Sequence, residues 1–118
     1  MQSGILYIVA TPIGNPQDIT LRALEILKSA DRIICEERRI GSTILRQLKI
    51  GEKPLVELNE HNEEQQAQEL AMALLNGETM ALISDCGTPA FADPGALLVQ
   101  LALDYEIKIV PVPGASSL

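Results

Sequence analysis

The chain has 118 residues and a formal net charge of −7, and it is 47% hydrophobic but only 3% aromatic. This length suits a single domain whose core is built from aliphatic side chains, and so much apolar sequence is not typical of disorder. No apolar run approaches the roughly 20 residues that span a bilayer, and the start lacks the basic lead of a signal peptide. We therefore expect a cytoplasmic protein without membrane contact. The overall acidity argues against tight unaided binding to nucleic acid.

Charge is distributed unevenly along the chain. Up to Lys53 there are eight basic and six acidic residues. Beyond Lys53 there are ten acidic residues and one basic residue, Lys108. Five basic residues around a predicted turn and helix could form one contact for phosphate or another polyanion: Arg38, Arg39, Arg46, Lys49 and Lys53. The alternative is a solvated face whose charge is compensated by nearby carboxylates: Glu36, Glu37 and Glu52.

Hydrophobic periodicity, taken in chain order, predicts strands that alternate with helices. Short apolar runs predict strands at 5–10, 32–35, 54–58, 79–84 and 107–112. Helical spacing predicts helices at 20–29, 42–48, 62–76 and 94–105. Asp18 or Thr20 is placed to cap the first helix, and Asn62 with Gln65 has the form of a capping box for the third.

This alternation indicates the α/β class, with a mainly parallel five-stranded sheet flanked by helices and right-handed crossovers. In open α/β sheets, ligands bind beyond the carboxyl ends of the strands. The loops that follow the first, fourth and fifth strands are therefore the candidate site.

Those three loops are rich in turn-forming residues. The first is Thr-Pro-Ile-Gly-Asn at 11–15, the second runs from Ser84 to Gly95, and the third is Pro-Gly-Ala-Ser-Ser at 113–117. Within the second loop, Asp93 followed by Pro94 has the form of a helix N-cap with proline at the first helical position. Such a loop presents free N–H groups to a small anionic or polar ligand.

The order of these motifs resembles the tetrapyrrole methylase superfamily of S-adenosylmethionine-dependent methyltransferases. Within it, the chain is most similar to the branch that methylates ribose 2'-hydroxyls of 16S ribosomal RNA. Three further segments carry that likeness: Leu-Tyr-Ile-Val at 6–9, Glu-Glu-Arg-Arg at 36–39 and His-Asn-Glu at 61–63. That branch usually has Glu-Asp-Thr-Arg after the second strand. Members of the family continue into a second α/β domain, so the resemblance implies that residues 1–118 are an amino-terminal domain that holds part of the cofactor site.

The resemblance also implies partners and roles. S-adenosylmethionine is the implied cofactor, ribosomal RNA in the small subunit is the implied substrate, and the full-length protein is expected to be a homodimer. Residues expected to contact the cofactor are Pro12, Cys86, Gly87, Thr88, Pro89, Phe91, Ser116 and Ser117. Residues expected to face the substrate are Thr11, Pro12, Gly14, Asn15, Arg38 and Arg39. Candidates for a general base are Glu36, Asp85 and His61.

Each role has a structural alternative. Asp85 can brace its own loop by accepting N–H bonds, His61 can be a surface residue before a helix cap, and Pro12 and Gly14 can serve turn geometry alone. Cys35 and Cys86 are far apart and match no metal spacing, so we interpret both as reduced thiols and expect no metal site.

The absence of a G-x-G-x-x-G motif after the first strand, and of a P-loop, disfavours a dinucleotide oxidoreductase or a P-loop nucleotidase. The nearest enzyme alternative is a porphyrin or corrin C-methyltransferase. A third possibility is a non-catalytic domain that dimerises or binds a partner.

Overall fold

The computed structural model of the protein describes residues 3–11, 19–85 and 95–113; for Ser84 and Asp85 it describes the strand but not the side chains. Five strands alternate with four helices in this part of the chain. The strands are β1 (Ile5–Thr11), β2 (Arg32–Cys35), β3 (Leu55–Glu57), β4 (Met80–Asp85) and β5 (Lys108–Val112). The helices are α1 (Leu21–Ser29), α2 (Arg38–Gln47), α3 (Glu63–Leu75) and α4 (Gly95–Asp104). The predicted alternation is confirmed.

The five strands form one sheet in the order β3-β2-β4-β1-β5, and every pairing is parallel. The predicted parallel five-stranded sheet flanked by helices is thus confirmed. The first strand lies between the fourth and the fifth, with Ile8 beside Leu82 on one side and Pro111 on the other. All strand carboxyl ends therefore lie at the same edge of the sheet, which we call the carboxyl edge.

Alternate residues of each strand supply two separate cores. Leu6, Ile8 and Leu82 pack with buried side chains of α3 and α4, whereas Val9 and Ala81 pack with those of α1 and α2. Burial on both faces explains why the strands read as continuous apolar runs rather than as alternating ones. It also shows that α1 and α2 cover one face of the sheet while α3 and α4 cover the other.

Two helix starts differ from the sequence prediction. Helix α2 begins at Arg38, four residues before the predicted start. Asn62 is the N-cap of α3, but its side chain makes no cap hydrogen bond, so the predicted capping box with Gln65 is wrong. Instead the Asn62 amide donates to the Glu57 carbonyl at 3.0 Å and accepts from the Asn59 N–H at 2.9 Å. The side chain stabilises the turn after β3 rather than the helix. Thr20, one of the two predicted caps of α1, accepts through its hydroxyl from the Ala23 N–H at 3.1 Å.

Three helices end in the same hydrogen-bonded motif. After α2, the Lys49 N–H donates to Arg46 O and the Ile50 N–H to Leu45 O, both at 3.1 Å. The equivalent pairs after α3 and α4 begin at Gly77 and Glu106. This Schellman motif places one residue in the left-handed region, and φ is 58° at Lys49, 104° at Gly77 and 59° at Glu106. The left-handed region favours glycine, and of the three residues only Gly77 is a glycine.

At the amino ends of the strands, the sheet is hydrogen-bonded to residues at and after the end of α3. The Gly4 N–H donates to Leu74 O at 2.7 Å, and a Cβ at Gly4 would overlap the Glu78 carbonyl. The guanidinium of Arg32 contacts the Glu78 carboxylate twice, at 2.8 and 3.0 Å. These contacts fix the starts of β1 and β2.

Candidate active site

The carboxyl ends of β4, β1 and β5 lie side by side. Thr11, the last residue of β1, is the register partner of Asp85, the last residue of β4. Val9 pairs with Val112, which ends β5. Thr11 is 1% exposed, so it forms part of the buried floor of this edge rather than an open surface. The three loops singled out from the sequence therefore all leave the sheet from neighbouring strands.

The chain leaves two of these strands in opposite directions. After β1 it passes to α1, which covers one face of the sheet, and after β4 it passes to α4, which covers the other. Adjacent strands whose connections diverge in this way leave a crevice at their carboxyl ends, and ligands of open α/β sheets bind in such crevices. The β1–β4 boundary is therefore the centre of the candidate site.

Most of the predicted contact residues lie outside the described part of the chain. These are Pro12, Gly14, Asn15, Cys86, Gly87, Thr88, Pro89, Phe91, Ser116 and Ser117. Their roles stay predictions. The described ends of β1, β4 and β5 fix only where these segments begin, at the carboxyl edge.

The three candidate bases all follow strands at this edge, at different distances from its centre. Asp85 ends β4 itself, and Glu36 directly follows β2, the neighbour of β4. His61 lies in the turn after β3, one strand further out, which is about 10 Å from β4 at about 4.8 Å per strand. It is exposed, and its N–H donates to the Asn59 side chain at 2.9 Å. Placement in the sheet therefore favours Asp85 and Glu36 over His61.

Arg38 and Arg39 form the first turn of α2 at the carboxyl edge, and both side chains are exposed. The Arg38 N–H donates to the Glu57 carboxylate at 2.7 Å. Glu57 ends β3, so the α2 N-terminus is capped from another strand, and the carboxylate also complements the helix dipole. Sequence reasoning missed Glu57, because the cap is nineteen residues from the helix that it serves.

Cys35 ends β2 behind this turn and is a free, buried thiol, as predicted. Burial, together with the Glu57 carboxylate, raises the pKa of Cys35 to about 11, although Arg38 and the Gly41 backbone oppose the shift. A thiol that stays protonated at neutral pH is a poor nucleophile. Cys35 is therefore a packing residue. Gly41 lies against it, and a Cβ at position 41 would come within 2.7 Å of the Cys35 sulfur.

The five basic residues that the sequence placed in one cluster are separated by the length of α2. Arg38 and Arg39 lie at its first turn, and Arg46 lies in its last turn. At 1.5 Å per residue, Arg38 and Arg46 are about 12 Å apart along the axis. The Lys53 ammonium donates to the Ala30 carbonyl at the end of α1, at 2.7 Å. A single five-residue cluster is therefore wrong.

The described residues contain neither a metal-binding cluster nor a membrane-spanning helix. Within 3–11, 19–85 and 95–113, no group of three or more His, Cys, Asp or Glu side chains could hold a metal ion. In the same ranges no helix is long and apolar enough to cross a membrane.

Comparison with known proteins finds curated relatives of high sequence identity and solved structures of lower identity. The chain is 45% identical over 117 residues to the "Ribosomal RNA small subunit methyltransferase I" of Leptospira biflexa, covering 99% of this chain and 48% of that protein. It is 50% identical over 113 residues to the protein of the same name from Pasteurella multocida, covering 96% and 40%. The chain thus spans less than half the length of these curated relatives.

Solved structures share the fold at lower identity. Uroporphyrin-III C-methyltransferase from Thermus thermophilus superposes with a TM-score of 0.67 at 21% identity, over 94% of this chain and 47% of that one. A conserved hypothetical protein from Aeropyrum pernix K1 gives 0.70 at 21% identity, over 98% and 40%. The sequence profile of the Tetrapyrrole (Corrin/Porphyrin) Methylases matches residues 5–118. With nearly the whole sequence and the sheet described above matching, the chain belongs to the tetrapyrrole methylase family.

Proposed function

We propose that this chain is the amino-terminal domain of a methyltransferase that transfers a methyl group from S-adenosylmethionine to a ribose 2'-hydroxyl of small-subunit ribosomal RNA. The observation that carries the proposal is the identity of 45% and 50%, over 99% and 96% of the chain, to proteins named ribosomal RNA small subunit methyltransferase I. Such an enzyme works in the cytoplasm, where ribosomes are assembled.

The carboxyl edge supports the cofactor assignment. A Thermus thermophilus uroporphyrin-III C-methyltransferase of this fold was solved in complex with S-adenosyl homocysteine, with a TM-score of 0.62 to this chain. S-adenosylmethionine supplies an already activated methyl group, so the protein mainly has to position the acceptor. We assign cofactor contacts to the loop after β4, at Cys86, Gly87, Thr88, Pro89 and Phe91, and to Pro12, Ser116 and Ser117. The loops after β1 and β4 leave adjacent strands whose connections diverge, which is the arrangement that opens a ligand crevice.

A ribose hydroxyl is a weak nucleophile while it carries its proton, so a nearby base would assist the transfer. We propose Asp85 or Glu36 for that role, since Asp85 ends β4 and Glu36 follows the neighbouring strand β2. We expect the substrate on the same edge, near Thr11, Pro12, Gly14 and Asn15 and the exposed guanidiniums of Arg38 and Arg39. A cationic side chain there would orient the phosphate next to the reacting ribose.

The remaining wall of the cofactor site is proposed to come from a second domain, because this chain covers 48% and 40% of the two relatives. We also propose that the full-length protein is a homodimer, as the family resemblance implies.

The second candidate is methylation of a tetrapyrrole carbon. The solved uroporphyrin-III C-methyltransferases favour it, but their identity of 21–22% to this chain shows only a shared fold. The chain also has one Phe, two Tyr and no Trp, which leaves few aromatic rings to stack on a macrocycle.

The test uses the full-length protein with methyl-labelled S-adenosylmethionine. Small ribosomal subunits that lack the modification and uroporphyrinogen are offered in parallel, and the label is followed into each. We expect label in the RNA, on a ribose that then resists alkaline cleavage. Label in uroporphyrinogen alone would overturn the substrate assignment.

Site variants separate the roles within the same assay. If Asp85 is the base, Asp85→Asn should lower kcat about 10²- to 10⁴-fold with little change in cofactor affinity. Thr88→Ala should raise the KM for S-adenosylmethionine. Glu60→Gln, an exposed change in the turn after β3, is the control and should alter neither. An Asp85→Asn variant with normal kcat would move the base to Glu36, which Glu36→Gln then tests.

A further inference from the structure

The second half of α2 borders a groove on the outer side of the sheet. The groove has a volume of about 610 Å³ and lies beside β3, the strand at the end of the sheet order. Arg46, Lys49 and Lys53 line it, against a single carboxylate, that of Glu52. In a chain with a net charge of −7, this is a local excess of positive charge.

Helix α2 connects this groove to the carboxyl edge by a row of basic and hydroxyl side chains. The helix carries three arginines and no acidic residue. Arg39 and Arg46 are seven residues apart and so share one face of the helix. Between them the Thr43 hydroxyl donates to Arg39 O at 2.9 Å and accepts from the Arg46 guanidinium at 3.4 Å. We call Arg39, Thr43, Arg46 and Lys49 the basic row.

The cations of the row are available to a ligand. Arg39, Arg46 and Lys49 are all exposed. Among the described residues, no carboxylate oxygen lies within 4.0 Å of their charged nitrogens, whereas the Arg32 guanidinium is paired with Glu78. From Arg39 to Arg46 the row extends over about 10 Å along the axis of α2 at 1.5 Å per residue, and Lys49 follows just beyond the end of the helix. Cations spread over such a length can contact several phosphates of one nucleic-acid strand rather than a single anion.

We propose that the basic row and the groove at its end bind the phosphate backbone of the RNA substrate, at a distance from the reacting ribose. The inference rests on the proposed function and adds a second point of contact to it. The carboxyl edge holds the nucleotide that is modified, and the row holds the flanking backbone. The acidity of the rest of the chain repels RNA elsewhere, so the row also sets the direction in which the RNA leaves the site.

Salt dependence tests this contact in the full-length protein. The affinity of the protein for small-subunit RNA is measured from 50 to 200 mM salt. Three proteins are compared: the wild type, the double variant Arg46→Gln/Lys49→Gln and the control Lys108→Gln. Lys108 is exposed on β5, four strands from β3 and so about 19 Å away. Each lost phosphate contact reduces the slope of log K against log salt by about 0.7–0.9. Over a fourfold rise in salt, the double variant should thus lose affinity about 7- to 12-fold less than the wild type.

The kinetic pattern gives a second readout. The KM for RNA should rise in the double variant, while the KM for S-adenosylmethionine and kcat at saturating RNA stay unchanged, because neither residue lies at the carboxyl edge. If the double variant behaves like Lys108→Gln in both assays, the inference is wrong while the proposed function stands. If the wild type transfers no methyl group to RNA, the proposed function fails, and this inference fails with it.

Discussion

The left-handed residues that end α2 and α4 should be destabilising as they stand, and glycine should stabilise both positions. Lys49 and Glu106 have φ of 58° and 59°, in the same Schellman motif that Gly77 occupies after α3. An L-residue in this region has its Cβ too close to the following carbonyl, at a cost of about 1–2 kcal/mol. Glycine relieves that cost but adds about 0.5–1 kcal/mol of conformational freedom to the unfolded chain.

The difference predicts that Lys49→Gly and Glu106→Gly each raise the free energy of unfolding by roughly 0.5–1 kcal/mol. The two sites end helices on opposite faces of the sheet, so their effects should add. By the same difference, Gly77→Ala should lower stability by roughly 0.5–1 kcal/mol, because φ there is 104°. The three changes together test one cause in both directions.

The assay is urea unfolding of the 118-residue chain at 25 °C, followed by far-ultraviolet circular dichroism. Gln47→Gly is the matched control, since Gln47 is an exposed residue in the last helical position of α2, only two residues from Lys49. Glycine there should cost about 0.5–1 kcal/mol. If Lys49→Gly destabilised the chain as much as Gln47→Gly, the left-handed conformation would not be the source of strain, and the reasoning would be refuted.

Three further predictions concern the turn around Cys35. Glu57→Ala should lower stability by about 1–2 kcal/mol through loss of the α2 cap, with the exposed Glu60→Ala as a near-neutral control; equal effects of the two would contradict the cap. Gly41→Ala should cost about 1–3 kcal/mol by overpacking against the Cys35 sulfur, and Cys35→Ala in the same chain should recover part of that loss, as a double-mutant cycle would measure. Burial raises the pKa of Cys35 to about 11, so between about pH 9 and pH 11 the folded chain retains a proton that the unfolded chain has released. The Cys35 thiol should therefore not affect stability below about pH 9. By pH 11 the free energy of unfolding should fall by about 2–3 kcal/mol more in the wild type than in Cys35→Ala. Parallel pH profiles for the two proteins would rule this out.

Much of the fold follows from local sequence. The inner strands β1, β2 and β4 are short apolar runs because they are buried on both faces, and Thr20, one of the two predicted caps, caps α1. The sheet order could not be read in this way, since periodicity identifies a strand but not its neighbours. The same limit applies to α2. Its first turn contains charged residues and Gly41 rather than an apolar stripe, and its cap comes from Glu57 on another strand.

The site shows the same division between local and long-range information. The sequence identified the loops after the first, fourth and fifth strands, and the sheet order places those strands side by side. It also grouped five basic residues that are near in sequence, whereas the helix separates Arg38 and Arg39 from Arg46 and Lys49. Asn62 was expected to cap α3, but the turn after β3 offers its side chain a carbonyl and an N–H, and those bonds form instead.

We propose that the family fold serves RNA methylation in the full-length protein. It is tested most directly by incubating the full-length protein with methyl-labelled S-adenosylmethionine and small ribosomal subunits that lack the modification. We expect one labelled ribose in the small-subunit RNA, and loss of that label with Thr88→Ala at limiting cofactor. Transfer to uroporphyrinogen with none to RNA would contradict it.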